Sequence, residues 1–350
     1  MTEVIPPRTP LIKRFINSLC LIYLLMMALY GVLRLTIGDG NPRLSLVNSF
    51  AYFLFLPLPV LLVVALLGRS RLALLRLVPV LVVLMVWIGP RFIPKPIVAA
   101  GGKTIRMLTM NVWGNRHDIS ETVTWLRATD ADIISLEEVS PTYATDRISA
   151  LSDLYPFQSN QQDNTRWNDN FILSRYPMVS NEYVELGIPD VPALVRTIID
   201  INGQKIAVYT VHLAWPVDDE SITVGGLGFY IQVALGFDDT LRNQQIDKLL
   251  AYLNNEPYPY ILAGDFNTSD SSVTYTKLAG VLHDSFVEGG QGLDGSWPVA
   301  RARGLPAWLP PLIRIDYIWH SAGLRTIRAW QGAETGSDHV PLLAELALDG

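Results

Sequence analysis

Six short polar clusters hold the groups of this 350-residue chain that could do chemistry together. Asn111 closes the apolar run LTMNVW, and Glu137 and Glu138 close DIISLEEV. His212 ends TVHL, Asp265 and Asn267 follow YILAG, Asp316 sits inside RIDYIW, and Ser337-Asp338-His339 precede VPLLAEL. Carboxylates and amides with few histidines suit a hard, oxygen-seeking cation such as Mg²⁺ and not zinc. The single cysteine, Cys20, lies far upstream, which excludes disulfides and thiol chemistry from this region. A histidine beside carboxylates suits proton transfer or contact with a phosphate. Each cluster alone has a plainer reading: GDFN as an Asx turn, Ser-Asp-His as a cap or turn, and the paired glutamates as a solvated face. Asp316 is more telling, because a carboxylate within an apolar strand is costly unless paired. A histidine is its natural partner.

The elements that must carry these residues can be read from periodicity. TIRMLTMNV (104–112), ADIISLEEV (131–139), FILS (171–174), VRTIID (195–200), KIAVYTVHL (205–213), YILAGDFN (260–267), RIDYIWH (314–320) and VPLLAEL (340–346) read as strands, with Asn202-Gly203 as a hairpin turn. Residues 118–128 and 239–253 have helical spacing, with Asp118 or Ser120 as a cap for the first. Strands, helices and hairpins in this order predict an α+β fold of two packed mixed sheets with helices outside. The polar clusters would then gather at strand ends, where sheet proteins build sites.

Taken in order, Asn111, Glu138, SRYP (174–177), His212, GDFN (264–267), RIDYIW (314–319) and SDHVP (337–341) resemble the endonuclease/exonuclease/phosphatase superfamily, the DNase I-like fold. The resemblance covers residues 104–347. RNQQIDKLLAYL (242–253) is similar to the helix before the family's Gly-Asp-x-Asn strand, and SWP (296–298) to its aromatic-proline turn. It implies a four-layer α/β/β/α sandwich and hydrolysis of a phosphate ester with Mg²⁺, or Mn²⁺ in its place. Carried over residue by residue, Glu138 binds the metal with Asn111 nearby, and Asp338 lies at the metal. Asp265 and Asn267 position or activate the attacking water and share metal contact. His339 contacts the scissile phosphate or acts as base, with Asp316 fixing its tautomer. His212 serves at the phosphate and leaving group, and Asn170 is a further substrate-binding candidate. Glu137 departs from the family, many of whose members have glutamine there. His117 and His283 read as surface residues, His320 as a strand end, and Arg175 as structural.

The region before these motifs differs in kind. Residues 1–99 hold only two acids, Glu3 and Asp39, whereas residues 100–350 hold 17 basic and 31 acidic residues, a formal balance of −14. Three apolar stretches, 15–33, 44–68 and 72–90, reach or nearly reach the ~20 residues that span a bilayer, and Pro57 and Pro59 can kink the second. The expected organisation is a three-span membrane anchor over residues 1–92, a Pro- and Gly-bearing linker at 93–103, and a globular domain at 104–350. Six basic residues would flank the cytoplasmic side against five outside, which favours a multi-pass protein of the cell membrane with its catalytic domain extracytoplasmic.

The substrate class is read from three features: the anchor, the acidic balance and two apolar loops. A wide nucleic-acid footprint is disfavoured by −14. ITVGGLGFYIQVALGF (222–237) and LPAWLPPLI (305–313) read either as core covers or as segments that dip into a bilayer or line a groove for a lipid tail. The arrangement resembles membrane-bound phosphatases of this superfamily associated with glycopeptide resistance, which implies a lipid-linked phosphate or pyrophosphate as partner at the membrane. A membrane-anchored nuclease acting on extracellular DNA is the alternative, and a non-catalytic binding protein on the same fold the third. No protein partner is inferable.

Overall fold

The computed structural model describes residues 11–96, 102–114, 120–141, 148–159, 168–189, 191–217 and 227–348. His117 and part of the 222–237 segment lie outside them. The chain divides into two units: Met1–Ile93 with Ser271–Val273, and Pro94–Asp270 with Thr274–Gly350.

In the first unit, α1 (Leu11–Thr36) is followed by α2 (Pro42–Ser49), a 3₁₀ turn (Ala51–Phe55), α3 (Pro57–Leu67) and α4 (Arg71–Trp87). The expectation of three full spans is corrected here. By length and composition one helix, α1, is able to cross a membrane, or two if a bent pair counts as one span. The second stretch is broken, because α2 and the Ala51–Leu67 segment meet at 68°. The break falls at Phe50, which caps α2, whereas Pro57 opens the first turn of α3, where a missing N–H breaks no helical bond. The third stretch has only 17 helical residues, ending at Trp87 with Ile88 as its cap before Gly89 and Pro90. Polar contacts nevertheless tie these helices side by side. Ser70 donates to Asn17 and Arg76 to the Asn17 carbonyl, both at 2.6 Å, and Tyr30 donates to Asn48 at 3.0 Å.

The second unit carries two six-stranded sheets. The first has the order β11-β12-β1-β2-β4-β3, from β1 (Thr104–Asn111), β2 (Ile133–Glu137), β3 (Phe157–Gln158), β4 (Phe171–Ser174), β11 (Leu324–Gln331) and β12 (Leu342–Leu348). The second has the order β5-β6-β7-β8-β10-β9, from β5 (Met178–Val184), β6 (Leu194–Ile201), β7 (Gln204–His212), β8 (Tyr260–Asp265), β9 (His283–Asp284) and β10 (Asp316–His320). Helix α5 (Ser120–Ala128) covers the first sheet through Leu126. Helix α7 (Thr240–Leu253) covers the second through Ile246, Leu249 and Leu253, joined by α8 (Val273–Ala279) through Tyr275 and Leu278. α6 (Leu227–Gly236) and the short α9 (Ser285–Gly289) complete the helices described here. This is the expected α/β/β/α layering.

Period-two alternation explains both the core and the site. Ile105, Met107, Ile133, Ile206, Val208, Ile261, Ala263 and Ile318 point between the sheets, whereas Leu108, Met110, Ile134, Leu136, Tyr209 and Leu262 point to the helices. Continuing along the inter-sheet face, the apolar residues give way to Thr109 and Asn111, Ser135 and Glu137, Thr210 and His212, then Asp265 and Asp316. The polar clusters are thus the rim of the same surface that forms the core.

Candidate active site

Two parallel strand pairs, one in each sheet, assemble this rim. β1 and β2 run parallel with Asn111 opposite Glu137, and β7 and β8 run parallel with His212 opposite Asp265. β10 is antiparallel to β8 and sets Asp316 opposite Asp265. The 337–339 turn reaches the same place because β12 pairs with β1, and Ser337 donates to the Asn111 carbonyl at 2.7 Å. Gly264 makes the β8 end possible. Its φ is +148°, and a Cβ would lie 1.9 Å from the Val211 carbonyl oxygen.

Asn111, fully buried, donates through one amide nitrogen to Glu138 Oε1 at 2.9 Å and to Asp265 Oδ2 at 3.2 Å. Carboxylates from the two sheets therefore converge on one point. Glu138 adopts φ +56° one residue beyond β2, a left-handed turn rare for its type, and Asn267 does the same at +49°. The Asn267 amide N–H holds Asp265 Oδ1 at 2.8 Å, while its side chain donates to Leu213.

An imidazole stands on each side. His339 Nδ1 meets Asp316 Oδ2 at 2.9 Å, and its Nε2 is 3.7 Å from Asp265 and 4.0 Å from Asp338 Oδ1. His212 Nε2 is 3.8 Å from Glu138, and its Nδ1 is 3.4 Å from Asp169. Burial works against charging both rings. Around His339 the charges of Asp316 and Asp265 overcome it and hold the ring well above the usual imidazole range. Around His212 the bond and charge of Asp169 push it up to about 10. Burial also lifts Asp265, against the pull of His339, to about 6.

Several buried polar atoms at this site have no hydrogen-bond partner among the described residues: Asp316 Oδ1, Asp338 Oδ1 and both amide atoms of Asn170. Such atoms are costly to bury unless something completes them. The donor set fits a hard cation: carboxylates at Glu138 and Asp265, the Asn111 amide and the unpartnered Asp338 oxygen, with no thiol. Asp265, Asp316 and His339 also have ligand atoms within 4.8 Å of one another. Asp316 and His339 are committed to each other, however, so the oxygen-rich side at Glu138 suits such an ion better.

The structure brings together Asn111, Glu138, His212, Asp265, Asn267, Asp316, Asp338 and His339. Asn170 directly precedes β4, whose Phe171 lies opposite Leu136 at the end of β2. Three features escape sequence reasoning. Asp169, the partner of His212, was signalled only by its place just before Asn170. Arg303 grips Asp338 Oδ2 from Nε at 2.7 Å and from Nη2 at 2.5 Å, beside the Trp297 indole N–H at 3.1 Å. Glu137 is not on a solvated face: it is fully buried, accepts from Ser135 and Thr109, and burial raises it to about 8. A protonated glutamate there has the shape of glutamine. Of the other residues considered, Arg175 pairs with Asp130 at 2.7 Å, and His320 ends β10, buried against Glu288 and Thr326. His283 is exposed and stacks on His320.

The sequence profile of the Endonuclease/Exonuclease/phosphatase family matches residues 108–339. Among curated protein sequences none matches the chain significantly. Similar solved structures include an endonuclease/exonuclease/phosphatase family protein from Bacteroides thetaiotaomicron, at 18% identity and a TM-score of 0.52 over 71% of this chain and 99% of that one. A functionally unknown conserved protein from Enterococcus faecalis V583 matches at 18% identity and 0.52, over 70% of this chain and all of that one. Truncated Caenorhabditis elegans TDP2 matches at 16% and 0.53, over 71% of this chain and all of that one. Identities this low speak for the fold alone. With two thirds of its length matched by the family profile, the chain belongs to the endonuclease/exonuclease/phosphatase family and is a hydrolase of phosphate ester bonds.

Proposed function

We propose that this protein is a membrane-tethered, Mg²⁺-dependent phosphohydrolase acting on a lipid-linked phosphate or pyrophosphate. The observation that carries the chemistry is the pair of imidazole–carboxylate couples, His339–Asp316 and His212–Asp169, set on either side of Asn111, Glu138 and Asp265. Glu138 and Asp265, with Asn111 and Asp338 beside them, would hold a divalent cation, which would supply charge neutralisation at the phosphoryl group. Asp265, oriented by the Asn267 amide N–H, takes the proton of the attacking water. His339, kept in one orientation by Asp316, donates to a phosphoryl oxygen. His212, charged through Asp169, donates to the leaving oxygen, and the Asn170 amide supplies a further donor.

The lipid reading draws on the surface around this site. α6 is apolar and exposes Ile231 (53%) and Leu235 (66%), while Trp308 is 79% exposed on the loop that follows Arg303. Tethering draws on the first unit, where most of the large exposed apolar side chains lie, among them Leu11, Phe15, Ile22, Val63, Leu75 and Val86. Arg34 stacks on Trp87 and Arg91 on Tyr52, as basic and aromatic residues do at headgroup level. We read α1 as the helix that crosses the membrane, with the catalytic domain on the outer surface.

The test is the full chain in nanodiscs with Mg²⁺, offered a polyprenyl diphosphate, a phosphodiester lipid and plasmid DNA, beside His339→Ala and Asp265→Ala controls. Phosphate release from the lipid, lost in both controls, is the expected result. Nicked DNA without lipid turnover overturns the lipid reading in favour of a nuclease, and no turnover of any substrate favours a binding protein.

A further inference from the structure

We infer that Arg303 is a positioning residue of the hydrolytic site, gripping one oxygen of Asp338 so that the other is presented toward His339. The inference rests on the hydrolytic reading above. Both of its bonds, from Nε and Nη2, go to Oδ2, which also receives the Trp297 indole N–H. Oδ1 is left with no hydrogen-bond partner among the described residues, 4.0 Å from His339 Nε2. A carboxylate pinned by one oxygen cannot rotate, so its second oxygen stays aimed at the space bordered by His339 and Asp265.

The guanidinium is itself held by rings. Its carbon lies 4.7 Å from the centre of Trp113, 5.1 Å from Phe229 and 6.0 Å from Trp297. Trp113 follows Asn111 by two residues and takes φ +50°, and its amide N–H donates to the Asn111 side chain at 3.1 Å. Phe229 comes from α6. The arginine thereby links the apolar helix to the Asn111 end of β1 and to Asp338. Flat, delocalised guanidinium suits this role, since it stacks and forks at once, which an ammonium does not do. Side-chain exposure of 21% places it at the edge of the site and not in the core.

The test uses the full chain in detergent, with Mg²⁺ alone as the binding probe by isothermal titration and bis(4-nitrophenyl) phosphate as a soluble probe of turnover. Arg303→Met, Arg303→Lys, Asp338→Ala and the Asp338→Ala/Arg303→Met double variant are compared. Arg303→Met is expected to weaken Mg²⁺ binding or lower kcat by about 10- to 100-fold, the range for partners of metal-site carboxylates, with KM nearly unchanged and Arg303→Lys intermediate. On the Asp338→Ala background, removing Arg303 is expected to add nothing, because its effect passes through that carboxylate. Three results overturn the inference: wild-type behaviour in Arg303→Met, a further loss in the double variant, or activity losses that track falling Tm in both arginine variants. If wild type hydrolyses no phosphoester, the hydrolase reading fails, while Mg²⁺ titration of the same four variants still decides the role of Arg303.

Discussion

Asp316 and His339 form a buried couple in which one carboxylate oxygen accepts from the ring at 2.9 Å while the other has no partner among the described residues. Asp316 comes from the first residue of β10 and His339 from the turn before β12, so each sheet supplies one member. Asp316→Asn keeps the shape but removes the charge that holds His339 protonated and oriented. The expected loss is about 10²-fold or more in kcat with KM little changed, measured on a soluble diester. A KM effect alone would mean that the couple serves binding only.

His212 depends on Asp169 in the same way. The aspartate holds the imidazole near 10, against the ordinary 6.5. A raised imidazole pKa stabilises the fold below about pH 6.5, and that contribution is lost as the pH rises toward 10. Asp169→Asn should therefore lower Tm in metal-free protein at pH 6 more than at pH 10, and should move the His212 titration, followed by NMR, downward. An unmoved titration would sever the link between the two residues.

Glu137 gives the opposite kind of test, since it is an acid raised by burial to about 8 from 4.5. Its protonated form is stabilising in full below about pH 4.5, and that contribution is lost as the pH rises to about 8, at ~1.4 kcal/mol per pH unit. Glu137→Gln removes this slope. In EDTA the wild type should lose stability relative to the variant between pH 5 and 8, read by urea unfolding. Parallel curves would show that Glu137 is ionised in the folded protein.

The site was legible in the sequence to the extent that its residues end strands. Asn111, His212 and Asp265 sit in phase with apolar residues facing between the sheets, so alternation alone carries them to the rim. Asp316 announced a partner because it is a carboxylate in an apolar run, although the strand itself begins at this residue. Asp169 and Arg303 were not legible, because their importance comes from what the fold sets beside them, His212 and Asp338, and neither lies in a periodic run. β5 and β11 were missed for a simpler reason: β5 is largely exposed and β11 has a bulge between Thr326 and Arg328, which blurs the two-residue period. The anchor was over-read as three spans because hydropathy counts apolar residues without registering that the chain turns at Phe50.

The apolar loops can be tested through the side chains that they expose. Phe229 and Tyr230 are half-buried and pack on each other, whereas Ile231, Leu235 and Trp308 are exposed. The triple change Ile231→Ser, Leu235→Ser and Trp308→Ser should lower turnover of a bilayer-embedded lipid phosphate by about 10-fold or more, each side chain contributing ~1 kcal/mol or more of lost burial. A short-chain soluble analogue should be hydrolysed at the wild-type rate. Equal losses on both would return these residues to a covering role.

The central claim is that Glu138, Asp265 and Asn111, drawn from both sheets, hold one divalent ion between the two imidazole couples. Anomalous diffraction from crystals soaked in Mn²⁺ tests it directly. The account predicts a single strong peak in contact with Glu138 and bordered by Asp265. No peak at saturating Mn²⁺, or a peak only at a different cluster such as His283 and Glu288, would contradict it.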